Sequence, residues 1–455
     1  MHNEPFALLQ QAVALHQRGE RRRAIPLYEQ VLAQEPDNGW ALFFRGVAAE
    51  EEELFDAAGG YYARAAASGF GEPELLIARG GLAMKQGQWT EAVGHYEAAL
   101  RIAPEIAALW HNLGLALKRL DRLSEARMVW AESMRLRRGC PADPSAILDA
   151  DERRALRRAN GPKLAHDLAQ LRWLRAERVA GPEVEPAIAA LAALAARMPE
   201  TDSRLRELTE TGLGAAAGIF NRLAFLADGR AVDGQPLAPE AVAALAAADG
   251  TAPEDGPVVI DDLLAPAALS RLRRFLQEST IWFEAKDHGG HVGAYLEEGL
   301  AQPLLLQLAE ALQAALPRRL GHLRLAQLWG YSYAADGSGT DIHADAGTVS
   351  ANLWLTPTEA CLAGGGLQLY DARVPPDWRF EEVNGPAERL RSWLAETAPA
   401  ARTIAYRGNR LVLFDGRAPH RTEPFRFAPG FDNRRLNLTF LFDAPDSGLA
   451  ASQWH

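Results

Sequence analysis

The chain has 455 residues, room for about two to four domains, and 48% are hydrophobic, so ordinary cores are expected and wholesale disorder is excluded. Lysine and arginine total 48 against 59 acids, and the net charge of −11 argues against a nucleic-acid-binding surface. The two cysteines, Cys140 and Cys361, lie too far apart in sequence to suggest a disulfide framework or a cysteine zinc site. The opening Met1-His2-Asn3-Glu4-Pro5 has no basic stretch leading into an apolar one, and the most apolar tract, Ala187 to Ala196, is too short to span a bilayer. A cytoplasmic protein without membrane partners is the expectation.

From the N-terminus, Ala24, Ala58, Ala92 and Ala126 recur at intervals of 34 residues, each followed four positions later by Tyr28, Tyr62, Tyr96 or Trp130. Gly46, Gly80 and Gly114 precede the last three alanines by 12 residues, and Pro36 and Pro104 close two of the units. A repeated helix pair explains the pattern. Small residues sit where the helices cross, the aromatic fills the gap between neighbouring units, and proline stops the second helix.

Residues 5–140 resemble tetratricopeptide repeats (TPRs), most fully through Trp110, Leu113, Gly114, Ala126 and Trp130. The resemblance implies a superhelix of four units with a groove for peptide or protein partners. His111, Lys118 and Arg119 are candidates for facing that groove, with plain solvent exposure as the rival reading. Residues 141–255 are rich in alanine and leucine. Leu164, Leu168, Leu171 and Leu174 have helical spacing, with breakers at Gly161-Pro162, Gly181-Pro182 and Asp249-Gly250 and a loose linker expected near Asp249 to Gly256.

The character changes at Pro257. A short β-type run leads into helical patterns at Ala265 to Leu276 and Pro303 to Leu316. Strand-like segments follow at 323–333, 349–355, 367–370, 403–406, 411–414 and 436–442, with turn signals at Asp336-Gly337 and Gly364-Gly365-Gly366. This alternation predicts a β-sandwich or barrel.

The β-rich part contains His343-Ala344-Asp345, whose i and i+2 side chains share one side of an extended segment, and His420 after the apolar run Leu411 to Phe414. Two histidines and a carboxylate form the facial set that suits non-haem Fe(II); zinc also accepts these ligands. Further on, Arg435, Asn437, Thr439 and Leu441 share one strand face and Arg434 lies on the other. A buried guanidinium needs an anion. A dicarboxylate cosubstrate that chelates iron at one end and pairs with arginine at the other supplies it, and the charges then cancel.

Residues 256–445 resemble the 2-oxoglutarate- and Fe(II)-dependent oxygenases of the prolyl-hydroxylase-like branch. The likeness rests on Tyr333, His343-Ala-Asp345, Trp354-Leu355, Gly365-Gly366-Leu367, His420 and Arg435. It implies a double-stranded β-helix (jelly roll) with His343, Asp345 and His420 as the catalytic iron ligands. Arg435 would bind the distal carboxylate of 2-oxoglutarate and Tyr333 would line its pocket. Trp354 stands where relatives often carry a donor tyrosine, and Thr439 completes the cosubstrate-binding set. The implied cofactors are Fe(II) and 2-oxoglutarate, with ascorbate a further candidate. Arg435 lies farther beyond His420 than the family usually places its basic residue, so 425–433 reads as a loop insertion and Arg434 remains a competitor.

The fold class is therefore multidomain α + β: TPR units at 5–140, a helical middle at 141–255 and an oxygenase domain at 256–445. The implied reaction is oxidative decarboxylation of 2-oxoglutarate coupled to C–H hydroxylation. Asp345 as a ligand argues against halogenation, and a TPR module points to a peptide or protein substrate. A small-molecule oxygenase docked to a partner through its repeats, and a non-catalytic TPR scaffold, are the alternatives. The tract Trp282-Phe283 to Tyr295, with His288 and His291, reads as a glycine-rich lid whose histidines are solvated. Asn384-Gly385 and Asn409-Arg410 read as turns.

Overall fold

The computed structural model describes residues 4–251, 256–287, 290–375, 377–378, 382–383 and 388–445. The chain divides into two compact units, Met1–Ser133 with Ser145–Ile147, and Met134–Pro144 with Leu148–His455.

The first unit consists of antiparallel helix pairs: α1 (Glu4–Gln17) with α2 (Arg21–Gln34), α3 (Gly39–Glu51) with α4 (Phe55–Ala67), and α5 (Pro73–Lys85) with α6 (Trp89–Leu100). Helices α7 (Ala107–Arg119) and α8 (Leu123–Arg138) follow, α8 running on past Ser133. The turn inside each pair holds one residue of left-handed backbone, again at the 34-residue period: Gly19, Glu53, Gly87 and Asp121, with φ of 77°, 60°, 72° and 61°. Glycine adopts that conformation freely, whereas Glu53 and Asp121 do so at a cost.

All four repeat alanines are fully buried, as are Tyr28, Tyr62, Tyr96 and Trp130. A Cβ on Gly46 would fall 2.5 Å from the Tyr62 ring, and one on Gly80 2.6 Å from Tyr96; Gly114 is crowded by Trp130 in the same way. Tyr62, Tyr96 and Trp130 thus each lie on the glycine of the helix paired with it, within its own unit. The expected packing towards the neighbouring unit occurs beside it, Tyr62 sharing a core with Leu75 and Leu82. Tyr28 does reach the next unit as well, stacking on Phe44 at 6.0 Å. His111, Lys118 and Arg119 are half-buried, with the guanidinium of Arg119 4.7 Å above the Trp89 ring.

In the second unit the expected leucine stripe forms: Leu164, Leu168, Leu171 and Leu174 are the buried face of helix α9 (Gly161–Ala176). Its start is set by Asn160, whose side chain accepts from the Lys163 N–H, and by Pro162 in the first turn, so Gly161-Pro162 begins a helix rather than ending one. Gln170 on α9 donates to the carbonyls of Gln277 and Ser279, both at 2.9 Å, and Asn160 to that of Lys286 at 2.7 Å. The middle region therefore braces the β-rich region. Asp249, expected in a linker, lies within the helix Pro239–Thr251 and accepts from the Arg318 and Arg319 N–H groups at 3.0 and 3.2 Å. Residues 252–255 of that expected linker lie outside the described residues.

Numbered from Val258, the strands are β1 (Val258–Ile260), β2 (Glu284–Ala285), β3 (His291–Tyr295), β4 (Arg324–Tyr333), β5 (Asp336–Gly337), β6 (Val349–Trp354) and β7 (Cys361–Gly364). They continue with β8 (Leu367–Tyr370), β9 (Ala401–Ile404), β10 (Arg410–Asp415), β11 (His420–Thr422), β12 (Phe425–Phe427) and β13 (Leu436–Asp443). A seven-stranded sheet has the order β1-β10-β6-β13-β4-β3-β2, and two three-stranded sheets have the orders β9-β8-β11 and β5-β12-β7. Every pairing is antiparallel. One core joins them: Tyr333, Trp354, Val412 and Phe414 from the large sheet meet Leu367, Leu369, Ile404, Phe425 and Phe427 from the small ones.

Two stretches read as loops are strands. Phe425–Phe427, placed in a loop insertion, pairs with β5 and β7. His291–Tyr295, placed in a solvated lid, pairs with β4 and leaves His291 3% exposed. Trp282 and Phe283 are buried too. His288, Gly289 and the Asn384-Gly385 turn lie outside the described residues. Asn409 does form a left-handed turn (φ 61°), and its amide exchanges hydrogen bonds with the backbone of Leu264.

Candidate metal centre

His343 and His420 are brought together by backbone. The two residues form an isolated antiparallel bridge, His343 N–H donating to the His420 carbonyl at 3.0 Å and His420 N–H to that of His343 at 2.8 Å. Directly opposed residues project to one side, and the rings stand 4.4 Å apart. Asp345 is placed by its own N–H, which donates to the Gly416 carbonyl at 2.7 Å. One ligand-type atom from each of His343, Asp345 and His420 lies within 4.8 Å of the others.

The protons are arranged to suit a cation. His343 Nδ1 contacts the Asp341 carbonyl at 2.8 Å and His420 Nδ1 that of Ala418 at 3.0 Å, so each ring donates there and keeps the Nε2 lone pair free. Burial, with a smaller push from His343 and against the pull of Asp345, holds the His420 pKa down to about 4. The ring is therefore neutral at physiological pH. The Ser350 hydroxyl donates to Asp345 Oδ2 and steadies it. The donor set, two imidazoles and one carboxylate, fits a divalent cation such as Fe(II) or zinc.

The second predicted group gathers elsewhere on the same core. Arg435 is 2% exposed. Its guanidinium donates to the Gly365 carbonyl at 3.2 and 3.3 Å and to Asn437 Oδ1 at 3.1 Å, and hydrogen-bonds with Tyr333. It lies 5.0 Å from the ring centre of Tyr333, 5.9 Å from Tyr406 and 5.7 Å from Phe425. No carboxylate is among its partners within the described residues. Burial raises the Tyr333 phenol above its ordinary range, opposed by Arg435 and by a bond to Thr422. Gly365 can offer its carbonyl because Gly364 and Gly365 take φ of 62° and 75°, and a Cβ on Gly364 would strike the Pro424 carbonyl.

Trp354 stacks on Tyr406 at 5.3 Å and 17°, one ring removed from the guanidinium. Thr439, on the face shared with Asn437, bonds to Asn352. Arg434 diverges: it is buried in the other direction, with Glu200 3.6 Å away, and burial lowers its pKa. The metal cluster and Arg435 meet the same core, since His420 packs edge-on against Phe414 at 4.7 Å while Tyr333 and Phe425 flank the guanidinium. Ser350, Asn352 and Tyr406 were not anticipated. Only Tyr406, at the end of an apolar strand pattern, carried a signal in sequence.

A tetratricopeptide-repeat profile matches residues 9–72, and a TPR-repeat profile matches residues 81–121. The N-terminal region carries TPR repeats. Similar solved structures include YrrB, titled a TPR protein with an unusual peptide-binding site, at 20% identity over 28% of this chain and 66% of that one (TM-score 0.27). MamA is 16% identical over 30% and 73% (0.28), and pilF of Pseudomonas aeruginosa 24% identical over 30% and 61% (0.28). The chain spans about two thirds of the length of these proteins. No curated protein matches it. Among the described residues no helix is long and apolar enough to cross a membrane.

Proposed function

We propose that the chain is a 2-oxoglutarate- and Fe(II)-dependent dioxygenase of the prolyl-hydroxylase-like branch, built on a double-stranded β-helix, that hydroxylates a C–H bond of a peptide or protein. One observation carries this reading: a two-histidine, one-carboxylate cluster shares its core with a buried guanidinium that has no acidic partner among the described residues. Iron and 2-oxoglutarate, when bound, would let dioxygen act as the oxidant, one oxygen atom entering the keto acid, which leaves as succinate and carbon dioxide, and the other entering the substrate C–H bond as hydroxyl. The chain's own residues bind and orient. His343 and His420 present Nε2 lone pairs, and Asp345 adds one negative charge, fixed by Ser350. Arg435 is the seat for a distal carboxylate, in the bidentate geometry that a guanidinium favours. Tyr333 is positioned to share it, while Leu367, Leu369 and Phe425 keep water away.

TPR repeats generally bind peptides or proteins, and a binding module tethered to a catalytic one raises the local concentration of substrate. The test incubates iron-loaded protein with 2-oxoglutarate and peptide pools, measuring succinate and oxygen-atom mass gain. Peptide-stimulated succinate that disappears in His343→Ala is the expected result. If no pool stimulates turnover, the protein-substrate reading fails. If purified protein takes up no ferrous ion, the enzyme reading fails and a scaffold remains.

A further inference from the structure

Between the two ligands of the first segment stands Ala344, whose side chain is fully buried on the opposite side of the extended backbone. Residues 338–348 contain no regular strand apart from the bridge at His343, so backbone pairing alone holds this loop weakly. Among the described residues, what covers Ala344 comes from the insertion between β8 and β9. Val374, Leu390 and Leu394 form one apolar cluster with it, and Tyr370 and Trp393 pack at its edge. Leu390 and Leu394 are one turn apart on the helix Glu388–Thr397 and are its buried positions.

The insertion, and Tyr370 at the end of β8 just before it, also touch the segment bearing the third ligand. Tyr370 N–H donates to the carbonyl of Pro419, the residue before His420, at 2.9 Å, and Val374 N–H to that of Arg417 at 3.1 Å. Arg417 returns a bond to the Val374 carbonyl at 3.1 Å. Asp371 N–H, bonded to the Ala400 carbonyl at 2.7 Å, closes the base of the insertion. Both ligand-bearing segments are thus backed by one element that contributes no ligand.

We infer that this insertion is the positioning element of the metal centre: docking of Leu390 and Leu394 on Ala344 sets how tightly His343, Asp345 and His420 hold a divalent cation. The inference rests on the metal-site reading above. By linkage, cation binding tightens the insertion in return. The test uses the full chain. Anaerobic calorimetry with Fe(II) or Co(II) compares wild type, Leu390→Ala and the volume-conserving Leu390→Met, with circular dichroism to establish that each is folded.

The alanine variant is expected to bind roughly ten- to a hundred-fold more weakly, the range seen for groups that orient metal ligands, and the methionine variant to bind nearly as wild type. Trypsin cleavage at the exposed Arg391 of wild-type protein, which needs no variant, is expected to slow when Co(II) is added. Unaltered affinity in Leu390→Ala, or cleavage indifferent to a cation that wild type does bind, overturns the inference alone. A wild-type chain that takes up no cation overturns the reading of the site beneath it.

Discussion

Replacing Arg435 by glutamine tests the cosubstrate seat most directly. Glutamine keeps a donor for the Gly365 carbonyl but removes the charge and the fork. Removing one member of a buried, hydrogen-bonded charge pair costs about 2–5 kcal/mol. At about 1.4 kcal/mol per factor of ten, affinity for 2-oxoglutarate should fall roughly thirty-fold to several thousand-fold. Cation affinity should stay as in wild type, because Arg435 contacts Gly365, Asn437 and Tyr333 and none of the three metal-cluster residues. The assay is calorimetric titration of 2-oxoglutarate or N-oxalylglycine into Co(II)-loaded protein, which binds without turnover. Arg434→Gln is the internal control. Its side chain is turned toward Glu200, so cosubstrate affinity should be unchanged. Equal affinity in wild type and Arg435→Gln, or a loss in Arg434→Gln instead, would refute the assignment.

Three further outcomes are expected. Gly80→Ala places a methyl 2.6 Å from the Tyr96 ring; overpacking of about 1–3 kcal/mol outweighs a helix-propensity gain of up to about 1 kcal/mol. Thermal unfolding followed by circular dichroism should therefore show the N-terminal unit destabilised, and an unchanged midpoint would contradict the packing described. His166 is buried beside Trp282 and Phe431, and burial, the largest influence, lowers its pKa from 6.5 to about 4. The unfolded chain takes up this proton below about pH 6.5 and the folded one only near 4. The contribution is thus present at neutral pH and is lost as pH falls through that window, by roughly 3 kcal/mol in all. His166→Phe should flatten the pH dependence of urea unfolding there, whereas an identical slope would contradict it. Finally, a divalent cation at a hundred times its Kd should stabilise the second unit by about 2.7 kcal/mol. Chelation should reverse the thermal shift and Asp345→Ala should abolish it; a shift that persists in that variant would place the cation elsewhere.

The repeats were legible because their determinants are near neighbours. Gly46 and Tyr62, or Gly80 and Tyr96, lie on adjacent helices joined by a short turn, so one period records both partners. The chemistry of the candidate site was legible as residue types: the spacing of His343 and Asp345 puts both on one side of an extended segment. The strands at His291–Tyr295 and Phe425–Phe427 were not. The first follows a glycine-rich stretch, and the second is a three-residue strand whose partners, β5 and β7, are more than sixty residues away.

Sequence alone determined the four helix pairs, the apolar strands and the inventory of ligating and charged groups, since helix period and strand alternation are local properties. Tertiary structure decided which of these meet. The bridge between His343 and His420 joins residues 77 apart, and its register follows from how β11 pairs with β8. The same packing turned Arg435 toward Tyr333, sent Arg434 toward Glu200 and set Leu390 on Ala344. Such choices depend on the burial of whole sheet faces, a quantity that no window of adjacent residues contains.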